Sequence, residues 1–408
     1  MFALDPASLS GRLSVPPRPR AKAGGRDARP ELSVPVYEQS LWTSRQRQAS
    51  SLHEVSYRAC FKPQLPRYFI ERLTNAGDVV YDPFSGRGTT AVEAALIGRR
   101  VIANDINPLS AIFTLPRLEA PDLAGIEERL RKLSFAKRHK ADIDLSMFYH
   151  PDTERELLAL REYLARKAAA GTEDAADRWI RMVATNRLTG HSPGFFSVYT
   201  LPPNQATTPE NQIRINRKLK QKPEYRDVRA LIMRKSAQLL SRLTADERTA
   251  LRFAAKSALL LGRSAARTHE IKSGSVQLTV TSPPFLDVVH YARDNWLRCW
   301  FNAIDAESVG AGITMSRTVE EWSETMSAVF AELHRITRSG GWVAFEVGEV
   351  RRGRVRLEEI VAPLGSAAGF ECEAVLINAQ KFTKTANIWG VRNNSQGTNT
   401  NRIVLLRK

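Results

Sequence analysis

The sequence predicts an α/β protein with a doubly wound, mostly parallel sheet split by a large, mostly helical insertion. Three observations predict it. Short apolar runs end in Asp-Pro or Pro-Pro near residues 79–83 and 276–284, and helix-forming stretches alternate with them. Between about 121 and 272 the text is instead dense in Arg, Lys, Glu and Ala at helical spacing. The 408 residues suit two domains, or one large domain carrying an insertion.

Hydrophobic residues make up 43% and charged residues 25% of the chain, a globular mix that excludes wholesale disorder. Lys and Arg total 60 against 43 Asp and Glu, a formal net charge of +17. Such an excess points to a polyanionic partner, nucleic acid before membrane. Cys60, Cys299 and Cys372 lie far apart and outside any Cys/His pattern that holds zinc, so no metal is expected and a reducing compartment is. No apolar run approaches the roughly 18 residues needed to cross a bilayer. The opening MFALDPASL has no basic and then apolar leader, so a cytoplasmic protein is expected.

Residues 1–35 are rich in Pro, Arg, Gly and Ala and predict a flexible basic arm, lying along phosphates or simply solvated. Residues 36–120 form the first half of the sheet domain. A helix is expected over 65–73, a buried strand at Val79-Val80-Tyr81, a tight turn at Gly86 and Gly88, a helix over 89–97 stopped by Gly98, and a strand ending at Asn104-Asp105. Strand, glycine loop, helix and strand together are the core of a doubly wound sheet.

Residues 121–272 read as a separate, helical, basic region. Its stretch at 215–235, INRKLKQKPEYRDVRALIMRK, follows a loop holding Phe195, Phe196 and Tyr199. Basic residues beside exposed aromatics suit phosphate contact and base stacking; the alternative is a solvated helix face beside aromatics tucked into the core. In residues 273–408, VQLTVTSPPF gives a strand ended by prolines, which cannot donate to a central ladder. Helices are expected over 291–301, 319–336 and 357–368, with strands within 340–350, near 373–376 and in the closing NRIVLLRK. Trp296 and Trp300, four apart on one helix face, are expected in the core. The count is six or seven strands.

Two motifs carry chemistry. In Asp82-Pro-Phe-Ser-Gly86-Arg-Gly88-Thr-Thr-Ala91 a strand runs into G-x-G-x-x-A and a helix, and Asp105 follows at the end of the next strand. The glycines allow close backbone approach and the acid can accept ribose hydroxyls. A carboxylate at Asp82 would repel a pyrophosphate but suits the ammonium or sulfonium of S-adenosylmethionine (SAM). The second motif, Thr281-Ser282-Pro283-Pro284-Phe285, stands at the carboxyl end of another strand. Its prolines fix the loop so that carbonyl oxygens and the Ser282 hydroxyl form a row of acceptors, beside a ring that can stack. Methylating an exocyclic amine needs both, because acceptors draw the nitrogen lone pair out of conjugation and the ring holds a flipped base. Alone, each motif also reads as an ordinary turn.

DPFSGRGTT at 82–90 resembles motif I of amino-methylating DNA methyltransferases, and TSPPF resembles their catalytic motif IV. Phe61-Lys62-Pro63 and ANDINP at 103–108 extend the resemblance, which covers about 51–115 and 275–408. It implies a Rossmann-like class I methyltransferase sheet with SAM against Asp82, Phe84, Gly86, Gly88 and Asp105. Lys62 and Thr89 are further candidate SAM contacts, Lys62 through the SAM carboxylate or a phosphate, with simple solvation the alternative. Catalysis is implied for Ser282, Pro283 and Phe285, with Pro284 in the same loop. Phe285 stands where the family usually has Tyr. The order of SAM loop, insertion and catalytic loop is commoner among adenine enzymes, which carry Asp or Asn where Ser282 stands, whereas a serine resembles the cytosine-N4 enzymes. The serine is the better guide because it touches the reacting base.

The sequence therefore reads as a SAM-dependent enzyme methylating cytosine N4 in DNA after base flipping, with 121–272 as its target-recognition region. Double-stranded DNA is the expected partner and a cognate restriction endonuclease a candidate one. The alternatives are N6-adenine methylation, tRNA base methylation, and a catalytically inactive nucleic-acid-binding protein of the same fold. An NAD-dependent dehydrogenase is disfavoured by Asp82 and TSPPF. His290 is not needed as a base, since the methylated amine is acidic enough to lose its proton to a loop acceptor. The polar stretch before the last strand suits either base reading or a plain loop, and Arg87 has no evident role.

Overall fold

A computed structural model describes residues 9–15, 32–41, 49–57, 60–137, 139, 141–201, 206–284, 291–313, 316, 318–350, 355–379 and 400–408. One sheet of nine strands organises them. From edge to edge it runs β1 (Leu9–Val15), β2 (Leu32–Gln39), β10 (Glu371–Ala379), β11 (Thr400–Arg407), β7 (Thr337–Val347), β6 (Val276–Thr281), β3 (Val79–Asp82), β4 (Arg100–Asn104) and β5 (Leu259–Leu261). The hairpin of β8 (Glu349–Val350) and β9 (Val355–Arg356) stands apart from it. Strands β7, β6, β3, β4 and β5 are parallel, and β11 runs against β7. From β3 the chain builds outward through β4 to β5, then returns to β6 on the other side. That reversal falls between β3 and β6, and the carboxyl ends of strands at such a point are where open α/β sheets bind ligands.

Both sheet faces are covered, which is why the central strands read as near-continuous apolar runs. Val80, Leu278 and Val280 pack into one core, while Tyr81, Val276 and Phe345 pack into the other. The first core also takes α1 (Gln64–Leu73), α2 (Thr89–Leu96) and α3 (Leu109–Glu119); the second takes α12 (Val319–Ile336) and α13 (Glu358–Ala368).

The insertion folds into α4 (Leu123–Lys132), α5 (Pro151–Ala169), α6 (Ala175–Arg187), α7 (Pro209–Leu219), α8 (Val228–Leu240) and α9 (Ala245–Ser257). Capping boxes start α6 (Asp174 with Asp177) and α9 (Thr244 with Glu247), and Thr208 caps α7 ahead of Pro209. The helical character is as expected, but the region is not separate. Leu157, Trp179, Ile180, Ile232 and Leu251 belong to the same core as Val80 and Phe113, because the apolar faces of these helices are buried against the helices of the sheet. The insertion also ends by giving β5 to the sheet, parallel to β4.

The nine strands exceed the six or seven expected, and two of the additions overturn part of the flexible arm. β1 pairs antiparallel with β2, and β2 pairs parallel with β10 over Val36–Gln39. LSVPVYEQ alternates as a strand should, and Val34 is fully buried. Residues 16–31 of the expected arm lie outside the described residues.

Candidate active site

β3 is buried from Val80 onward and ends on Asp82, which has 1% of its surface exposed. Asp82 Oδ1 accepts from the Thr281 hydroxyl at 2.6 Å and from the Phe84 N–H at 3.1 Å. Thr281 ends β6, so a single hydrogen bond ties the glycine loop to the proline loop across the reversal. Burial pushes the Asp82 carboxyl up to about 7, against the hydrogen bonds that favour its ionised form. Beyond β4, Asp105 accepts the Gly86 N–H at 2.8 Å on Oδ2 and the Asn107 N–H at 2.9 Å on Oδ1. Burial raises Asp105 to about 6. Each of its oxygens keeps a further lone pair for a ligand hydroxyl. Among the described residues no cation forms a salt bridge with either acid, so this pair of buried carboxylates fits a ligand that brings its own positive charge.

The loop between them depends on its glycines. Gly86 (φ 52°) and Gly88 (φ 76°) are left-handed, and the Gly88 N–H donates to the Ser85 carbonyl at 2.6 Å. A Cβ at Gly88 would fall inside the Thr114 side chain. Gly88→Ala is therefore expected to lower stability by about 3 kcal/mol, from backbone strain plus overpacking. Thermal unfolding checks this, and a loss below about 1 kcal/mol would contradict the packing described. The Ser85 hydroxyl is buried with no partner among the described residues, a donor left for a ligand.

The structure gives Arg87 a role that the sequence did not. Its NH1 donates to the carbonyls of His53 and Val55 at 3.0 and 2.8 Å, and its Nε to the Thr89 hydroxyl at 3.2 Å. The glycine loop is thereby clamped to the segment before α1. Thr89 is buried beneath that clamp, Phe84 is half-buried against the second core, and Lys62 is half-buried just ahead of α1.

In the second motif Pro283 is buried, and Ser282 and Pro284 are half-buried. The Pro284 carbonyl, one of the expected row of acceptors, is taken by Trp322 Nε1 at 3.0 Å. The Ser282 side chain is near enough to the Glu346 carboxylate to favour its ionised form. Glu346, buried in β7, accepts from Asn401 Nδ2 of β11 at 2.5 Å. Burial raises its affinity for a proton. Sequence reasoning missed Glu346 and Asn401; the available signal was a glutamate inside the apolar run VAFEV, since a charge in a buried strand needs partners. Phe285, Asp287, His290 and the polar stretch 380–399 lie outside the described residues.

In the helical region Phe195 and Phe196 are buried, which corrects the expectation of exposed stacking rings. Their apolar area is worth more in the core than in a solvent-facing loop. The basic surface does remain, with Arg214, Arg217, Lys218, Lys220 and Lys222 exposed on and just after α7. Trp296 and Trp300 are half-buried in α10 (Tyr291–Phe301) and pack against the first core, donating to the Thr207 carbonyl and to Asp142.

A family model described as DNA methylase matches residues 25–111, which contain Asp82, Gly86, Gly88 and Asp105. The chain is 33% identical over 88 residues to the type II methyltransferase M.MjaII of Methanocaldococcus jannaschii, a stretch covering 21% of this chain and 17% of that protein. It is 33% identical over 89 residues to the tRNA (guanine(10)-N2)-dimethyltransferase of the same organism, 22% of this chain and 25% of the relative. A solved TehB-like SAM-dependent methyltransferase from Corynebacterium glutamicum aligns at 8% identity and a TM-score of 0.32, over 84% of this chain and 86% of that one. The chain thus matches a quarter or less of the length of the first two relatives. Over residues 25–111 it is similar to the amino-methylating DNA methyltransferases.

Proposed function

We propose that the protein transfers a methyl group from SAM to the exocyclic amine of a base in DNA, with cytosine N4 as the target. The observation that carries this reading is the Thr281–Asp82 hydrogen bond, which holds the glycine loop and the proline loop side by side at the reversal of the sheet. When bound, SAM supplies an electrophilic methyl group on a sulfonium. Asp82 is the partner for its positive charge and Asp105 for its ribose hydroxyls, while Gly86 and Gly88 admit the ligand close to the backbone. Phe84, Lys62 and Thr89 complete the proposed cofactor site.

In this reading the single hydroxyl hydrogen of Ser282 turns to the nearby Glu346 carboxylate, which leaves Oγ only lone pairs to offer the target amine. Oγ then accepts an N–H of the target amine and localises the nitrogen lone pair for attack. As the nitrogen takes up the methyl, its proton passes to Oγ and the serine proton passes to Glu346. The raised proton affinity of that buried carboxylate suits the end of such a relay. The Pro283 carbonyl is the second acceptor in this reading, and Phe285 the stacking ring.

The serine favours cytosine; the order of the two loops around the helical region favours adenine N6 as the second reading. Residues 121–272 are the proposed target-recognition region, and a cognate restriction endonuclease is a candidate partner. Incubation with methyl-labelled SAM and either duplex DNA or tRNA tests the acceptor class. Label is expected in DNA, and label confined to tRNA would replace DNA by RNA.

SAM affinity is expected to depend on pH. The ligand-free Asp82 titrates near 7 and must ionise to meet a cation. Affinity should rise by up to about tenfold per pH unit from about pH 5.5 and level off above about pH 8. Folding of the free protein runs the other way. A carboxyl raised on folding contributes stability fully below its unfolded value near 4, and loses it as pH rises through about 7. Calorimetric titration of SAM across that range checks the first statement, and an affinity independent of pH would contradict it.

A further inference from the structure

We propose that Arg187, Arg298 and Lys235 form a pocket for a backbone phosphate of DNA, at the seam between the helical region and the helix that leaves the proline loop. The proposal rests on the DNA reading above. Arg187 ends α6, Lys235 lies in α8 and Arg298 in α10, and they are 8%, 6% and 8% exposed. Arg298 NH2 and Asn186 Nδ2 each donate to the Ser56 carbonyl at 3.1 Å, and Asn186 Oδ1 accepts from Arg187 NH2 at 2.5 Å. One carbonyl and one amide therefore link two buried guanidinium groups. The remaining acceptors are also neutral: Asn295 Oδ1 for Arg298 at 2.9 Å and Gln238 Oε1 for Lys235 at 3.0 Å. Arg187 Nε is buried with no acceptor, while the Phe195 ring, 3.9 Å from the guanidinium carbon, fixes the plane of the group.

Buried cations are normally paired, because an uncompensated charge out of water is expensive. In α6 the buried Arg181 meets Glu173 and the half-buried Arg178 meets Glu119, and in α4 the half-buried Arg129 meets Asp177, whereas the buried Arg117 of α3 is held by carbonyls alone. Among the described residues no carboxylate forms a salt bridge with Arg187, Arg298 or Lys235; the one carboxylate whose charge acts on Arg298 is Asp294, a helical turn earlier and beyond salt-bridge distance. Lys235 is lowered to about 8 by burial and by Arg187 beside it, against a weaker pull from Glu54, the mark of cations crowded together. Two guanidinium forks and an ammonium suit the oxygens of a phosphodiester.

The phosphate is the anion chosen because the DNA reading supplies it. α10 is the first described element after the proline loop, and Arg298 lies two turns into it. Two of the three cations come from the helical region rather than from the SAM half. The other anion at hand is the SAM carboxylate, since Ser56 adjoins Tyr57, whose ring packs on Gly86.

The test measures binding of a fluorescent random-sequence DNA duplex over a NaCl series, for the wild-type chain, Arg187→Gln, Arg298→Gln and Lys235→Met, with SAM titration and thermal unfolding alongside. Weaker duplex binding is expected, with the slope of log K against log salt shallower by about 0.9 for the one phosphate no longer neutralised. SAM affinity should hold, and the melting temperature should hold or rise, because an unpaired buried charge has gone. Lys235→Met, on a different helix, carries the test if the arginine variants do not fold. Unchanged affinity and slope in the folded variants would overturn the pocket. Weakened SAM binding at an unchanged slope would overturn it too, by assigning the anion to the SAM carboxylate. Wild-type protein that binds no duplex would overturn the DNA reading, and the pocket with it.

Discussion

Ser282→Ala is expected to lower turnover by about 10²-fold while SAM affinity stays within about twofold. The serine follows the carboxyl end of β6 near the Glu346 carboxylate, and in the proposed reading its hydrogen turns to that carboxylate, which leaves its oxygen as an acceptor for an amine. Alanine removes that acceptor without touching Asp82, whose hydrogen bond comes from Thr281. Glu346→Gln should act on the same step. A glutamine amide donates as well as accepts, so the serine is no longer forced to give up its hydrogen in one direction. A merely structural serine would move the melting temperature and leave kcat alone. The double variant separates the cases: if the two residues work as a pair, Ser282→Ala with Glu346→Gln is no slower than Ser282→Ala. Unchanged turnover in the serine variant would remove the proline loop from the chemistry.

Asp105→Ala is expected to weaken SAM binding by about 2–3 kcal/mol, or about 30- to 150-fold. Two effects add. The ribose loses a charged acceptor, and the Gly86 and Asn107 N–H groups lose the carboxylate that fixes the glycine loop to the end of β4. Isothermal titration of SAM reads the loss directly, and a weakening below about threefold would show that the ribose lies elsewhere.

Helices were the most legible part of the chain. The apolar spacing of 65–73 and 319–336 predicts α1 and α12 almost to the residue, because long amphipathic repeats bury one face whatever the tertiary context. The strand–glycine loop–helix–strand unit was equally plain, each of its boundaries being written in Asp-Pro or Gly. The added strands were not. β5 is three leucines after a helix and becomes a strand only by pairing with β4. β2 alternates correctly but carries Pro35 and follows a Pro- and Arg-rich stretch, so composition outweighed periodicity. At the site, residues belonging to a contiguous motif were found, and those brought in by strand pairing were missed. Glu346 and Asn401 are distant in sequence from Ser282; Glu346 comes near Ser282, and Asn401 meets Glu346, only because β7 lies between β6 and β11. Burial misled the reading of Phe195 and Phe196, since no local pattern tells a loop aromatic that stacks on a base from one that fills the core.

Nucleoside mass spectrometry of duplex DNA, after incubation with the purified protein and methyl-labelled SAM, identifies the methylated base. Label is expected in N4-methylcytosine. Label in N6-methyladenine would contradict the assignment made from Ser282, and DNA left unlabelled by protein that binds SAM would contradict the reading of this chain as a DNA methyltransferase.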